Sequence, residues 1–66
     1  MPSTAIERIS YEEAGQELHV KFVGGGTYTY YDVPKSVYEA FRASSTKGRF
    51  LNNFIKSRYD FRRHAA

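Results

Sequence analysis

Apolar and polar residues alternate along the first half of the chain in three short segments. The clearest is 16–23, where every second residue from 18 to 22 is apolar, as in a strand with one buried face. Segments 4–11 and 27–32 are rich in residues that strands favour. Loops of hairpin length, 12–15 and 24–26, separate the three segments. This order predicts a three-stranded antiparallel meander.

The lengths of the two turns predict which residues pair across the strands. A turn at 13–16 places Tyr11 opposite Leu18, and a three-residue loop at 24–26 places Phe22 opposite Tyr28. Because side chains alternate along a strand, one face should be the core face. The residues of that face are Ile9, Tyr11, Leu18, Val20, Phe22, Tyr28 and Tyr30. The opposite face carries Arg8, Ser10, His19, Lys21, Thr27, Thr29 and Tyr31.

The spacing of apolar residues becomes helical in the second half of the chain. Pro34 suits the first turn of a helix, where its missing N–H is harmless. Ser44 or Ser45 should end that helix and cap a second one, which runs to about residue 57. The apolar residues at helical spacing are Val37, Tyr38 and Phe41, and then Phe50, Leu51, Phe54 and Ile55. The fold class is therefore α+β, a three-stranded antiparallel meander followed by two helices packed on one face (βββαα).

Length and composition limit what this chain can be. Its 66 residues include six Tyr and five Phe but no Cys, so the stability of so small a domain must come from large side chains rather than disulfides. We expect a single domain over 1–60 and a basic flexible tail over 61–66, with Tyr59 and Phe61 able to fold back onto the sheet edge. No apolar run approaches the roughly 20 residues that span a bilayer, and no signal peptide is recognised at the amino terminus. A cytoplasmic protein without membrane contact is expected.

Several short motifs, taken in order, resemble those of the small KTSC domain. They are Tyr28-Thr29-Tyr30, Val33-Pro34, Ser45-Thr46-Lys47-Gly48, then Phe50, Asn52, Ile55 and Tyr59. That domain is named for a C-terminal extension of some lysyl-tRNA synthetases and also occurs alone in bacterial proteins. The resemblance covers nearly the whole chain and supports the fold and its boundaries. Its synthetase context implies RNA binding.

Charge is distributed unevenly along the chain. The net charge is +5 from Lys47 onward and −2 before it, which favours an anionic partner, nucleic acid first. The alternative is a basic segment that is only solvated.

The start of the second helix is the strongest candidate site, because its first N–H groups lack intrahelical partners and the dipole end is positive. Gly48 would let a phosphate approach the backbone closely, beside Lys47 and Arg49. Lys56 would also contact phosphate, and Arg58, Arg62 and Arg63 would add non-specific attraction. One of Asn52 and Asn53 should face inward and tie the helix to the sheet, and the other could hydrogen-bond a base or sugar. We take Asn53 as the candidate for that contact. The alternative is that Ser45 caps the helix, Gly48 permits close packing and the cations are solvated.

The aromatic residues of the third strand divide between the two faces of the sheet. The predicted register turns Tyr28 and Tyr30 toward the helices, as core residues with hydroxyls at the rim, although exposed rings there would suit RNA bases. Tyr31 shares the outer face with Arg8 and Lys21 and is the better stacking candidate.

The residue inventory argues against catalysis and metal binding. The two histidines, His19 on the outer face of the sheet and His64 in the tail, are far apart in sequence and lack a nucleophile held in a triad. With no Cys they form no recognisable metal ligand set, and no cofactor motif is present. Gly24-Gly25-Gly26 lies between strands, so we interpret it as a hairpin rather than a phosphate loop.

The sequence therefore predicts a small non-catalytic module that binds nucleic acid through phosphates at the start of the second helix. RNA is favoured over DNA, but no residue distinguishes RNA from single-stranded DNA. A protein-interaction or oligomerisation module that uses the edge of strand one or strand three is the alternative.

Overall fold

The computed structural model describes residues 6–64. It is an α+β fold with one antiparallel sheet in the order β1-β2-β3-β4. The strands are β1 (Ile6–Glu12), β2 (Glu17–Phe22), β3 (Gly26–Tyr30) and β4 (Phe61–His64), and the helices are α1 (Lys35–Ala43) and α2 (Lys47–Phe50), which continues as a π-helical turn, Leu51–Ile55. The predicted start of strand one at Thr4 lies outside the described residues, as does the end of the tail, 65–66.

The predicted register of the first hairpin is confirmed. Tyr11 lies opposite Leu18 and Ile9 lies opposite Val20, and Arg8 lies opposite Lys21 on the other face. The Tyr11 hydroxyl donates to the carbonyl of Val33 at 2.6 Å, which ties β1 to the segment before α1.

The predicted register of the second hairpin is wrong by two residues, although the predicted faces are right. Tyr28 lies opposite Val20 rather than Phe22, which pairs with Gly26 instead. The loop is therefore 23–25, one residue earlier than expected. Its turn uses a positive φ of 71° at Gly24, a conformation natural to glycine. Three consecutive glycines allow either loop, and a shift of two in pairing leaves every side chain on its own face.

The sheet has a fourth strand, so the predicted three-stranded meander is incomplete. Residues 61–64, expected as part of a flexible tail, form β4 and pair with β3, with Tyr30 opposite Phe61 and Tyr28 opposite Arg63. The Tyr31 N–H also donates to the Asp60 carbonyl at 2.9 Å. The expectation that Phe61 can return to the sheet edge is confirmed, because its ring lies 5.6 Å from that of Tyr30. Strand three is consequently an interior strand.

Both helices contribute to a core on one face of the sheet. Leu18, Val20, Phe22 and Tyr30 from the strands pack with Val33, Phe41, Leu51 and Ile55. Ile9, Tyr11 and Tyr28 are partly buried against this cluster, so the predicted core face is confirmed. In the described part of the chain, no helix is long and apolar enough to cross a membrane.

Tyr30 provides a test of this core through its ionisation. Burial, and secondarily the neighbouring Tyr28, raises the pKa of Tyr30 from 10.0 to about 12. Above pH 10 the unfolded chain loses this proton while the folded chain keeps it, so stability falls as pH rises through that window. This group lowers the free energy of unfolding by at most about 1.4 kcal/mol per pH unit between pH 10 and pH 12. Urea unfolding at pH 9, 10 and 11 should show a flatter decline for Tyr30→Phe than for the wild type. Parallel declines would contradict the burial of this hydroxyl.

Candidate functional site

An open cleft of about 480 Å³ lies where the β2–β3 hairpin, β4 and the end of the second helix meet. Its lining residues are Phe22, Val23, Gly25, Tyr28, Tyr30, Lys56 and Arg63. The set contains two cations and three aromatic residues and no acidic residue. The cleft therefore combines an aromatic wall with exposed positive charge.

Strand register positions the aromatic residues of the cleft. Tyr28 and Tyr30 alternate along β3 with Thr29 and so share the helix-facing side of the sheet. Their rings are stacked at 6.3 Å with an interplanar angle of 18°, and Phe22 meets Tyr28 edge to face at 5.3 Å. Tyr30 is 1% exposed, whereas Tyr28 is only partly buried. Tyr30 is thus core, and Tyr28 belongs both to the core and to the cleft.

The two cations reach the cleft from different elements. Lys56 directly follows the π-helical turn, where its N–H bonds to the carbonyl of Leu51 at 2.8 Å. Arg63 stands on β4 directly opposite Tyr28. Because β4 was not predicted, this proximity could not be read from the sequence.

The ion pairs leave the positive charge near the cleft uncompensated. Within residues 6–64 the Lys and Arg ion pairs are Lys21–Glu7, Lys35–Glu13 and Arg42–Glu39, at 3.6–3.8 Å, and His19 Nε2 lies 3.5 Å from Glu17 Oε1. Every basic member of these pairs precedes Lys47. Across the described residues, the cations from Lys47 onward therefore make no ion pair, and their charge is available to an anionic partner.

The start of the second helix differs in detail from the prediction. Its N-cap is Thr46, which makes no side-chain capping bond, and the Thr46 N–H instead donates to Ser44 Oγ at 3.1 Å. The ammonium of Lys47 donates to the Ser44 carbonyl at 2.9 Å. A phosphate at Lys47 and Gly48 would have to compete with that bond. The α-helical part, 47–50, is also only four residues long.

The other predicted site residues of this helix do not all lie at the cleft. Arg49, Asn53 and Lys56 are all exposed. Asn52 is exposed too, so the expectation that one asparagine ties the helix to the sheet is wrong, since Leu51 and Ile55 fill that position. Arg58 lines a separate groove of about 440 Å³ between the two helices. That groove is mainly apolar, with Val37, Ala40, Phe50, Phe54 and Tyr59 in its lining.

Tyr31 follows β3 and is partly buried, and it is not among the residues that line the cleft. The sheet register places Arg8, Lys21, Thr27 and His64 in one row across the outer face. The structure therefore does not bring Tyr31 together with Lys56 and Arg63.

The two histidines, expected to be far apart, meet on the outer face of the sheet. Thr29 Oγ1 lies 2.8 Å from His19 Nδ1 and 2.9 Å from His64 Nε2, and Thr29 is only 3% exposed. This network joins β2, β3 and β4. It holds in place the strand that carries Arg63, and only knowledge of β4 could have revealed it.

The fold is that of a small α+β domain, and comparison with known proteins gives its family. The sequence model of the KTSC domain matches residues 2–59, so the chain belongs to the KTSC domain family. A crystal structure of a KTSC domain protein from Yersinia pestis superposes with a TM-score of 0.89 at 31% identity, covering 98% of this chain and 92% of that one.

Sequence relatives fall into two kinds. A Tsukamurella paurometabola protein of similar length is 44% identical over 57 residues, covering 86% of this chain and 85% of its own. A lysine–tRNA ligase of Nostoc punctiforme is 38% identical over 58 residues, and one of Trichormus variabilis is 32% identical over 56. These matches cover 88% and 85% of this chain but only 10% of each ligase. The chain is thus similar to a small part of those enzymes.

Proposed function

We propose that this protein is a non-catalytic module that binds RNA, with Lys56 and Arg63 contacting phosphates at the rim of the cleft. Arg49, Arg58 and Arg62 add attraction that does not depend on sequence. Lys47 and Gly48 at the helix start, and Asn53 further along the helix, would make weaker contacts. Tyr31 can contact RNA only where the bound RNA extends beyond the cleft.

The observation that carries this proposal is the meeting of Lys56 and Arg63 at one cleft without a carboxylate among the lining residues. The two residues come from different elements, so the fold itself concentrates the charge there. Neither cation forms an ion pair within the described chain. Unpaired cations clustered at one surface are the feature by which proteins hold a nucleic-acid backbone.

The choice of RNA over other anions is supported by the relatives. The matched region forms about a tenth of the two lysine–tRNA ligases. The name of these enzymes states that they act on tRNA. A module appended to such an enzyme can raise its hold on tRNA through effective concentration. We extend that role to this chain, in which Lys56 and Arg63 would make the contacts.

A salt series tests the proposed function. Purified, nuclease-treated protein is titrated into labelled tRNA and labelled single-stranded RNA, and anisotropy is followed between 50 and 300 mM salt. The logarithm of the binding constant should fall linearly with that of the salt concentration, by about 0.7 for each phosphate neutralised on a single strand. Changing Lys56 and Arg63 to Gln should reduce the slope by about 1.4. No binding at 50 mM salt would refute the proposal.

Protein interaction is a second candidate, because the groove between the helices exposes apolar surface. Phe54, which lines it, is 49% exposed. One edge of the sheet differs from expectation. β1 is an outer strand as expected, but the other outer strand of the described sheet is β4 rather than β3. Light scattering after size exclusion distinguishes the candidates. An oligomer whose mass is unchanged by nuclease and salt would favour assembly.

A further inference from the structure

We infer that the cleft between the β2–β3 hairpin, β4 and Lys56 holds an unstacked base, so that the ligand is single-stranded rather than duplex RNA. This inference rests on the proposed function and specifies its substrate class. The observation behind it is the aromatic wall of the cleft, because phosphate contacts with Lys56 and Arg63 would not involve these rings.

The open cleft has the volume of a small-ligand site and one aromatic wall, formed by Phe22, Tyr28 and Tyr30. Its volume of about 480 Å³ lies within the range of roughly 300–1,000 Å³ that is usual for ligand pockets. The partly exposed ring of Tyr28 lies among apolar neighbours, with the two cations at the rim. A base presents a flat π-face to such a ring while its flanking phosphates meet the cations.

Apolar side chains beside the cleft are exposed in this structure. Val23 is 62% exposed and lines the cleft, and Phe61 is 52% exposed with its ring 5.5 Å from that of Tyr28. Both sit close to unpaired positive charge. An apolar protein segment would cover Val23 and Phe61 but leave Lys56 and Arg63 without partners, whereas a nucleotide satisfies both kinds of group.

A duplex cannot use this interior unless a base is flipped out of its stack. It can reach only the cations. A protein that contacts phosphates alone should bind duplex at least as tightly, because double-stranded nucleic acid has the higher charge density and the steeper salt dependence. Preference for single strands is therefore the diagnostic property.

The test compares a labelled single-stranded RNA with a blunt duplex of the same length and sequence at 100 mM salt. Two variants alter the aromatic wall of the cleft and keep both Lys56 and Arg63. Tyr28→Leu deletes the stacking ring, and Gly25→Leu places a side chain at the cleft wall, where a Cβ would lie 3.4 Å from that of Phe22. Tyr38→Leu is the matched control, because Tyr38 stacks on Tyr11 at 4.8 Å and does not line the cleft. Circular dichroism confirms that each variant is folded.

The wild type should bind the single strand about tenfold more tightly than the duplex, the size of one base-stacking contact. Gly25→Leu and Tyr28→Leu should each remove most of that preference and leave duplex binding unchanged, and Tyr38→Leu should retain it. Equal affinity for the two RNAs, insensitive to Tyr28 and Gly25, would overturn the inference while the proposed function stands. Absence of binding to either RNA would overturn both.

Discussion

Replacing Lys56 and Arg63 by glutamate is expected to weaken RNA binding about a hundredfold at 100 mM salt. Each residue is expected to make one charge-assisted contact, worth about 1.5 kcal/mol or more, and the two contacts lie at the same cleft. Both side chains are exposed, so the substitutions should leave the folded state intact. Anisotropy measures the affinity, and thermal unfolding measures the stability.

The control for this experiment changes the net charge equally at another surface. Lys35 and Arg42 lie on α1, at its first residue and in its last turn, and are paired with Glu13 and Glu39. Their reversal to glutamate alters the protein's overall charge by the same amount. If both double variants lost affinity alike, binding would follow net charge rather than the cleft, and the site assignment would be wrong.

Phe41→Ala is expected to leave the protein largely unfolded at 37 °C. Phe41 is 0% exposed and contacts Phe50, with ring centroids 5.6 Å apart. Truncating a buried Phe costs about 3–5 kcal/mol. The total stability of a domain this small is of the same order, at about 0.05–0.15 kcal/mol per residue. Circular dichroism and urea unfolding measure the loss.

Phe54→Ala supplies the matched comparison, because the same atoms are removed from a side chain that is 49% exposed. Its cost should be about 1 kcal/mol, since only part of the ring is withdrawn from water. If the two variants had similar urea-unfolding midpoints, the assignment of Phe41 to the core would be wrong.

The core face of the sheet could be predicted from sequence because it depends only on alternation. Leu18, Val20 and Phe22 are apolar at every second position of β2, and their assignment to the core face survives the error of two residues in the second hairpin. The exact loop could not be predicted, since residues 24–26 are all glycine and any of them accepts a positive φ. Only the packed structure shows that Gly24 and Gly26 take a positive φ, at 71° and 82°.

The candidate site was only partly predictable. Lys56 stands out by its position in a basic helix, but Arg63 lies in a segment whose composition is that of a solvated tail. Its strand is formed by tertiary contacts, in which Phe61 meets Tyr28 and Tyr30, and Thr29 binds His64. Such long-range pairing leaves no local signal in a four-residue segment.

The most direct test of the central claim is a map of amide chemical-shift changes on addition of single-stranded RNA to labelled protein, a method well suited to 66 residues. We expect the largest changes at Gly25, Tyr28, Lys56 and Arg63, with smaller changes at Arg49 and little at α1. Changes centred on the groove between the helices, or none at RNA concentrations where anisotropy reports saturation, would contradict the assignment of the cleft as the RNA-binding site.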